Sequence, residues 1–140
     1  MRMKFLAGGG AALSLAFLVG LAFGQAGLAQ PAVPTQNVGV VVNRTATMDL
    51  GPEIEGMAGR QLRLRVITMA PGGLFAEHSH RDRPTVEFVL SGGAVEFRGS
   101  AQQTVREGES ILSDRNTTHW WRNDGSVPVV FIAADIFRPQ

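Results

Sequence analysis

Gln61-Leu62-Arg63-Leu64-Arg65-Val66 alternates polar and apolar residues without a break. Side chains of an extended strand change face with period two. The run therefore reads as a half-buried β-strand, with Leu62, Leu64 and Val66 toward a core and Arg63 and Arg65 toward water. The same texture continues on both sides. Strand character extends over residues 38–42, 61–69, 86–90, 94–98, 102–106, 110–112, 117–122 and 128–137. Between these runs stand the turn signals Pro71-Gly72-Gly73, Ser91-Gly92-Gly93, Gly99-Ser100, Glu107-Gly108, Asp114-Arg115-Asn116 and Asn123-Asp124-Gly125. Beyond residue 30 no window of eleven or more residues carries a helical apolar period. Short strands at intervals of about ten residues imply an all-β sandwich or barrel.

The 140 residues suffice for one domain, and the first 29 read as an address rather than as part of it. Arg2 and Lys4 make a positive start, residues 5–23 are uncharged and rich in Leu, Ala, Val and Gly, and Gly27-Leu28-Ala29 offers the small residues that a signal peptidase reads. Cleavage is expected after Ala29, with Gly24-Gln25-Ala26 as the alternative site. An uncleaved anchor is the competing reading, since about 19 apolar residues can just cross a bilayer. Gly8, Gly9, Gly10 and Gly20 dilute the stretch and favour cleavage. With no twin-arginine pair, the chain is expected to cross unfolded and to take up any metal in the periplasm or after secretion. Residues 30–37 read as a loose lead-in. Residues 38–140 form the folded domain, with no stable membrane insertion once the leader is gone.

Composition removes several chemistries. Past residue 30 there are 11 arginines against 12 acids and no lysine, so no clustered positive excess marks a nucleic-acid partner. There is no Cys, which excludes a disulfide framework, a thiolate zinc site and a thiol nucleophile. The absence of Tyr and of any Lys past Lys4 excludes a tyrosyl acid and Schiff-base chemistry. Three histidines, the carboxylates, the arginines and some hydroxyls remain.

The histidines are His78, His80 and His119. An H-x-H on a strand puts both imidazoles on one face, where the pair can grip an ion from one side. A third His from a neighbouring strand completes a three-nitrogen set that leaves coordination positions open. An H-x-H pair by itself is weak evidence, because most such pairs are surface polar residues. The flanking residues decide.

Those flanks resemble the cupin superfamily, whose first motif is Gly, five residues, His-x-His, three or four residues, Glu, six residues, Gly. Here Gly72 is followed by five residues to His78, then His80, and Gly92 closes the motif. The second motif is Gly, five residues, Pro-x-Gly, two residues, His, three residues, Asn. This chain has Gly108, Asp114-Arg115-Asn116, His119 and Asn123 at that spacing. Asp114 replaces Pro and Asn116 replaces Gly. Both still suit a turn, since Asn tolerates a left-handed conformation. The resemblance covers Gly72 to Asn123 and implies a single antiparallel jelly-roll barrel of six to eight strands with the metal between the two motifs. It also implies a homodimer through the N-terminal strand, residues 38–42.

The family glutamate falls on Thr85, so the usual fourth ligand is missing there. Glu87, two residues on, shares that parity. It reaches the metal, acts as a base or orienter behind the ligands, or sits at a bulge and faces outward. Trp121 and Asn123 share the parity of His119, whereas Trp120 and Arg122 take the other face. Trp121 is thus either a pocket wall or plain packing, and Asn123 fixes the strand end. Thr85 and Arg83 are further pocket candidates. Arg81 and Arg83 either hold a carboxylate at the barrel mouth through forked hydrogen bonds or sit in a solvated loop with Asp82. Glu77 has the opposite parity to His78 and is expected outside the site.

The resulting expectation is an exported cupin protein holding one divalent transition metal (Fe, Mn, Zn, Ni or Cu) on His78, His80 and His119, with no other cofactor. It acts as a dioxygenase-like oxidoreductase on a small oxygen-bearing molecule, with Glu87 as proton acceptor because no Lys, Cys or Tyr is available. The alternatives are a non-catalytic module that binds a small ligand or metal, and a metal-assisted isomerase or lyase. The scaffold does not choose among them.

Overall fold

The computed structural model describes residues 31–139, so the expected leader lies outside the described residues. Eight strands follow in chain order. They are β1 (Val38–Asp49), β2 (Gln61–Ser79), β3 (Thr85–Ser91), β4 (Gly93–Arg98), β5 (Ala101–Arg106), β6 (Ser110–Ser113), β7 (Thr118–Arg122) and β8 (Val129–Phe137). Every run with strand character becomes a strand, and β1 and β2 run well past their expected ends. All pairings are antiparallel, in the order β5-β4-β7-β2-β8-β3-β6 with β1 added to β2. The result is a nearly closed jelly-roll barrel. Among the described residues no helix is long and apolar enough to cross a membrane.

Strand β2 organises the barrel because it serves two neighbours in turn. From Gln61 to Met69 it pairs with β8, and from Leu74 to Ser79 with β7. The expected chain reversal at Pro71-Gly72-Gly73 is instead a corner within one strand. Gly72 adopts a φ of 71°, a left-handed value that residues with a Cβ rarely take. Asn123 clamps this corner. Its side-chain Nδ2 donates to the carbonyls of Met69 (3.1 Å), Ala70 (3.1 Å) and Val127 (2.9 Å), its Oδ1 accepts from the Gly125 N–H (2.9 Å), and its backbone pairs with Gly72 and Gly73. Gly92 is constrained more tightly still, since at φ 77° any Cβ would lie 2.8 Å from the Pro128 carbonyl oxygen.

The interior is lined by Ile67 and Met69 of β2, Val89 of β3, Trp121 of β7 and Val129, Phe131 and Ala133 of β8. Their burial reverses the facing read for the start of β2. Arg65 is 6% exposed and points inward, whereas Leu62 and Leu64 are each 39% exposed on the outside. The cause is Asp135, fully buried on β8, which receives a forked hydrogen bond from Arg63 (3.0 and 3.1 Å) and an ion pair from Arg65 (2.5 Å). A buried carboxylate with two guanidinium partners lets charges occupy the inward positions that alternation alone assigns to leucine.

The turn before β7 forms where expected, without a left-handed residue. No non-glycine among the described residues has a positive φ, so Asn116 is not left-handed. The Asp114 side chain makes the turn, accepting from the Asn116 N–H (2.9 Å) and the Thr117 hydroxyl (2.9 Å). The lead-in has no regular structure, but it is tethered to β2: Pro34 O accepts from Glu77 N–H and Asn37 Oδ1 from Ala76 N–H, both at 2.9 Å.

Removing the Asn123 amide should leave the corner carbonyls unsatisfied. Asn123→Ala is therefore expected to lower stability by about 2–3 kcal/mol, measured as a shift in the urea unfolding midpoint at unchanged slope. A midpoint equal to that of the parent protein would show that the clamp is dispensable.

Candidate metal centre

Because β2 changes partner from β8 to β7 across residues 70–73, its C-terminal half lies against β7, and His78 and His119 become direct cross-strand partners. His80 follows just past the end of β2, where its N–H still bonds to Thr117 O (2.8 Å). His80 and His119 are fully buried and His78 is half-buried. The donor atoms of the three rings lie within 4.8 Å of one another. His80 Nε2 is 3.0 Å from His119 Nε2, which is 3.1 Å from His78 Nε2.

The far side of each ring shows which nitrogen carries the proton. His78 Nδ1 lies 2.9 Å from Ala76 O, and His80 Nδ1 lies 2.9 Å from Arg83 O. His119 Nδ1 lies 2.5 Å from Glu96 Oε1. A carbonyl or carboxylate oxygen only accepts, so each Nδ1 donates and each Nε2 is the nitrogen left to offer a lone pair to an ion. Burial pushes His78 down to about 3 and His80 down to about 4, which keeps both rings neutral. With His119 Nε2 only 3.0 and 3.1 Å from the other two, a cation placed among them would be held by all three lone pairs. Their spacing is that of neighbouring ligands on an ion with bonds of about 2.1 Å. The donor set fits a divalent transition metal, and three imidazoles accept Zn, Fe, Cu, Ni or Mn.

Glu96 on β4, which sequence reasoning did not single out, orients His119. It is fully buried, and Arg98 Nε donates to its Oε1 (2.8 Å) and Gln103 Nε2 to its Oε2 (2.5 Å). Burial acts to raise its carboxyl, but the hydrogen bonds from His119, Gln103 and Arg98 outweigh that and hold it below the ordinary range. Glu96 is therefore the ionised partner that fixes the ring and makes Nε2 a better donor. The sequence carries no local signal of it, since Glu96 alternates with Val95 and Phe97 and shares a face with Ala94 and Arg98.

The other expected residues separate. Thr85 lies behind His80, its Oγ1 2.8 Å from Nδ1, and its hydroxyl donates to Arg83 O (3.0 Å). The Arg83 carbonyl thus steadies a ring while its side chain lies half-buried elsewhere. Trp121 meets His119 edge-on at 5.5 Å and Phe131 at 5.0 Å, so it is both core and wall. Glu87 faces inward, 5% exposed, which removes the outward reading. It stands apart from the three-nitrogen group and accepts from Ser113 Oγ at 3.2 Å. Burial pushes its carboxyl up toward the neutral form. Arg81 and Glu77 are exposed.

A profile of the Cupin_2 family, described as the cupin domain, matches residues 65–135. The chain belongs to the cupin family. Germin-like protein subfamily 2 member 1 of Arabidopsis thaliana is 32% identical over 113 residues, covering 77% of this chain and 50% of that protein. This cupin chain thus spans about half the length of the germin-like relatives it matches. In fold it resembles an uncharacterised conserved protein with a double-stranded β-helix domain from Klebsiella pneumoniae (TM-score 0.59, 17% identity, 74% of this chain and 76% of that one). It also resembles recombinant oxalate oxidase in complex with glycolate (TM-score 0.53, 22% identity, 69% of this chain and 50% of that one).

If the carboxylate of Glu96 sets the His119 ring, Glu96→Gln should weaken metal affinity by about 10- to 100-fold, read by competition with a chromophoric chelator. Parental affinity in that variant would show that the ring keeps its orientation without the charge.

Proposed function

We propose that this cupin is an exported mononuclear metalloenzyme, an oxidoreductase of dioxygenase type acting on a small oxygen-bearing organic molecule. The observation that carries the reading is the set of three Nε2 lone pairs converging on one point, each fixed by an Nδ1–H donated to an acceptor. His78, His80 and His119 would hold the ion. When bound, it would supply Lewis acidity and, if iron or manganese, one-electron exchange with oxygen.

The chain's own groups do the rest. Three neutral imidazoles leave the ion's charge undiminished, which favours a substrate that coordinates through an ionised oxygen. Glu87 Oε2 is engaged by Ser113, and no hydrogen bond from the described residues is recorded to its other oxygen, so when ionised the carboxylate can take a substrate hydroxyl proton there. Its raised pKa suits a group that must hold the proton and return it. Trp121 and Phe131 close the floor beneath His119 and keep bulk water from it. The redox reading leans on a barrel fold shared with oxalate oxidase. A Lewis-acid isomerase or lyase would use the same Glu87 and is separated from it by oxygen consumption. Export rests on the leader pattern of residues 1–29. A homodimer is supported by β1, which pairs only with β2 among the described residues and exposes Val38, Val41, Val42 and Met48. Light scattering showing a monomer would remove that element.

Protein purified from the native compartment should begin near Gln30 by mass spectrometry and carry about one iron or manganese per chain. His119→Ala should lose the metal, and the parent should consume oxygen when given small 2-hydroxy or 2-oxo acids. Zinc occupancy without oxygen uptake, or full metal in His119→Ala, overturns the reading.

A further inference from the structure

Near neutrality in sequence conceals a local gathering of arginines. A groove of about 580 Å³ at one end of the barrel is lined by Arg44, Arg63, Arg83 and Arg138, with Asp82 its only carboxylate and Phe137 along one wall. A cavity that shares Asp82 adds Arg60, Arg81 and Arg115, so most arginines of the described chain gather at this end. Arg63 is pinned by its fork to Asp135 and lies over the Phe137 ring at 4.0 Å, with Arg44 5.7 Å from the same ring. No carboxylate of the described residues forms an ion pair with Arg44, Arg83 or Arg138.

The positive excess continues inward. Asp135 is shared between Arg63 and Arg65, and Arg65 Nε is buried with no hydrogen-bond partner. Glu87, the other acid felt by Arg65 and Arg83, is pushed toward its neutral form by burial. Arg44 and Arg138 are exposed and free to turn toward a ligand, whereas Arg83 is half-buried with no carboxylate in ion-pair contact, and an anion placed beside it offsets the cost of that burial. Arg83 joins this region to the histidines: its carbonyl receives the His80 Nδ1 proton, while its guanidinium lines the groove.

We propose that the groove of Arg44, Arg63, Arg83 and Arg138 is a subsite for a carboxylate tail of the substrate, set apart from the end that meets the histidines. Guanidinium forks suit the planar carboxylate, and a volume of this size admits a tail several carbons long. The position of the substrate's other end rests on the metal reading above. Capture of the tail does not. The substrate class is thus a bifunctional organic acid with a coordinating oxygen at one end and a free carboxylate at the other.

Calorimetric titration of metal-stripped protein tests the groove alone, using glutarate, its neutral diamide glutaramide, and inorganic phosphate. Glutarate should bind in preference to both. Its affinity should fall by about tenfold or more in Arg83→Gln and Arg138→Gln, of which the second lies at the chain end away from the barrel core. It should also weaken with added salt. Equal binding of diacid and diamide, no glutarate binding, or parental affinity in both variants overturns the proposal, and tighter binding of phosphate overturns the carboxylate assignment. His119→Ala should still bind glutarate after losing metal. Full metal in that variant would sink the metal reading and leave the groove result standing.

Discussion

Strand β2 changes neighbour from β8 to β7, and the corner at residues 70–73 that allows it is held by the buried side chain of Asn123. Everything at the candidate centre depends on this constraint. The pairing of β2 with β8 ends at Met69 and Val129, and it is past the corner that His78 meets His119 on β7. The clamp comes from the same short segment as the third histidine, since Asn123 lies just past the end of β7. One local stretch therefore supplies both a ligand and the bond that brings the other two ligands to it.

The barrel is too small to bury charges singly, and it gathers them into two groups that act differently. Around Glu96, His119, Arg98 and Gln103 saturate one carboxylate, which becomes a fixed negative charge behind a ligand ring. Around Asp135 the balance runs the other way: two guanidiniums share one carboxylate and a buried N–H is left over. The first group is closed and orients. The second is unsatisfied and lies beside an open groove, so it has capacity for a ligand.

Legibility followed the range of the interaction. His78 and His80 were readable because two positions on one strand determine a common face, and His119 because the turn residues around it keep their spacing. Glu96 was not readable as a partner of His119, since its bond crosses 23 positions between β4 and β7. Arg65 was misread for a related reason. Period two shows that Arg63 and Arg65 share a face, but the burial of that face was decided by Asp135, 70 positions away. At Asn116 the turn was foreseen and its chemistry was not, because the Asp114 side chain replaced the left-handed residue.

Sequence by itself determined the eight strands, the all-β class and the three histidines, because alternation, turn residues and motif spacing are properties of neighbouring residues. Tertiary structure alone decided which face of β2 is inside, that Glu96 supports His119, that Glu87 points inward yet stands apart from the ring nitrogens, and that the arginines collect around one groove. These are matters of charge against charge across strands, and the energy of such a pair depends on distance and burial, which no local pattern encodes.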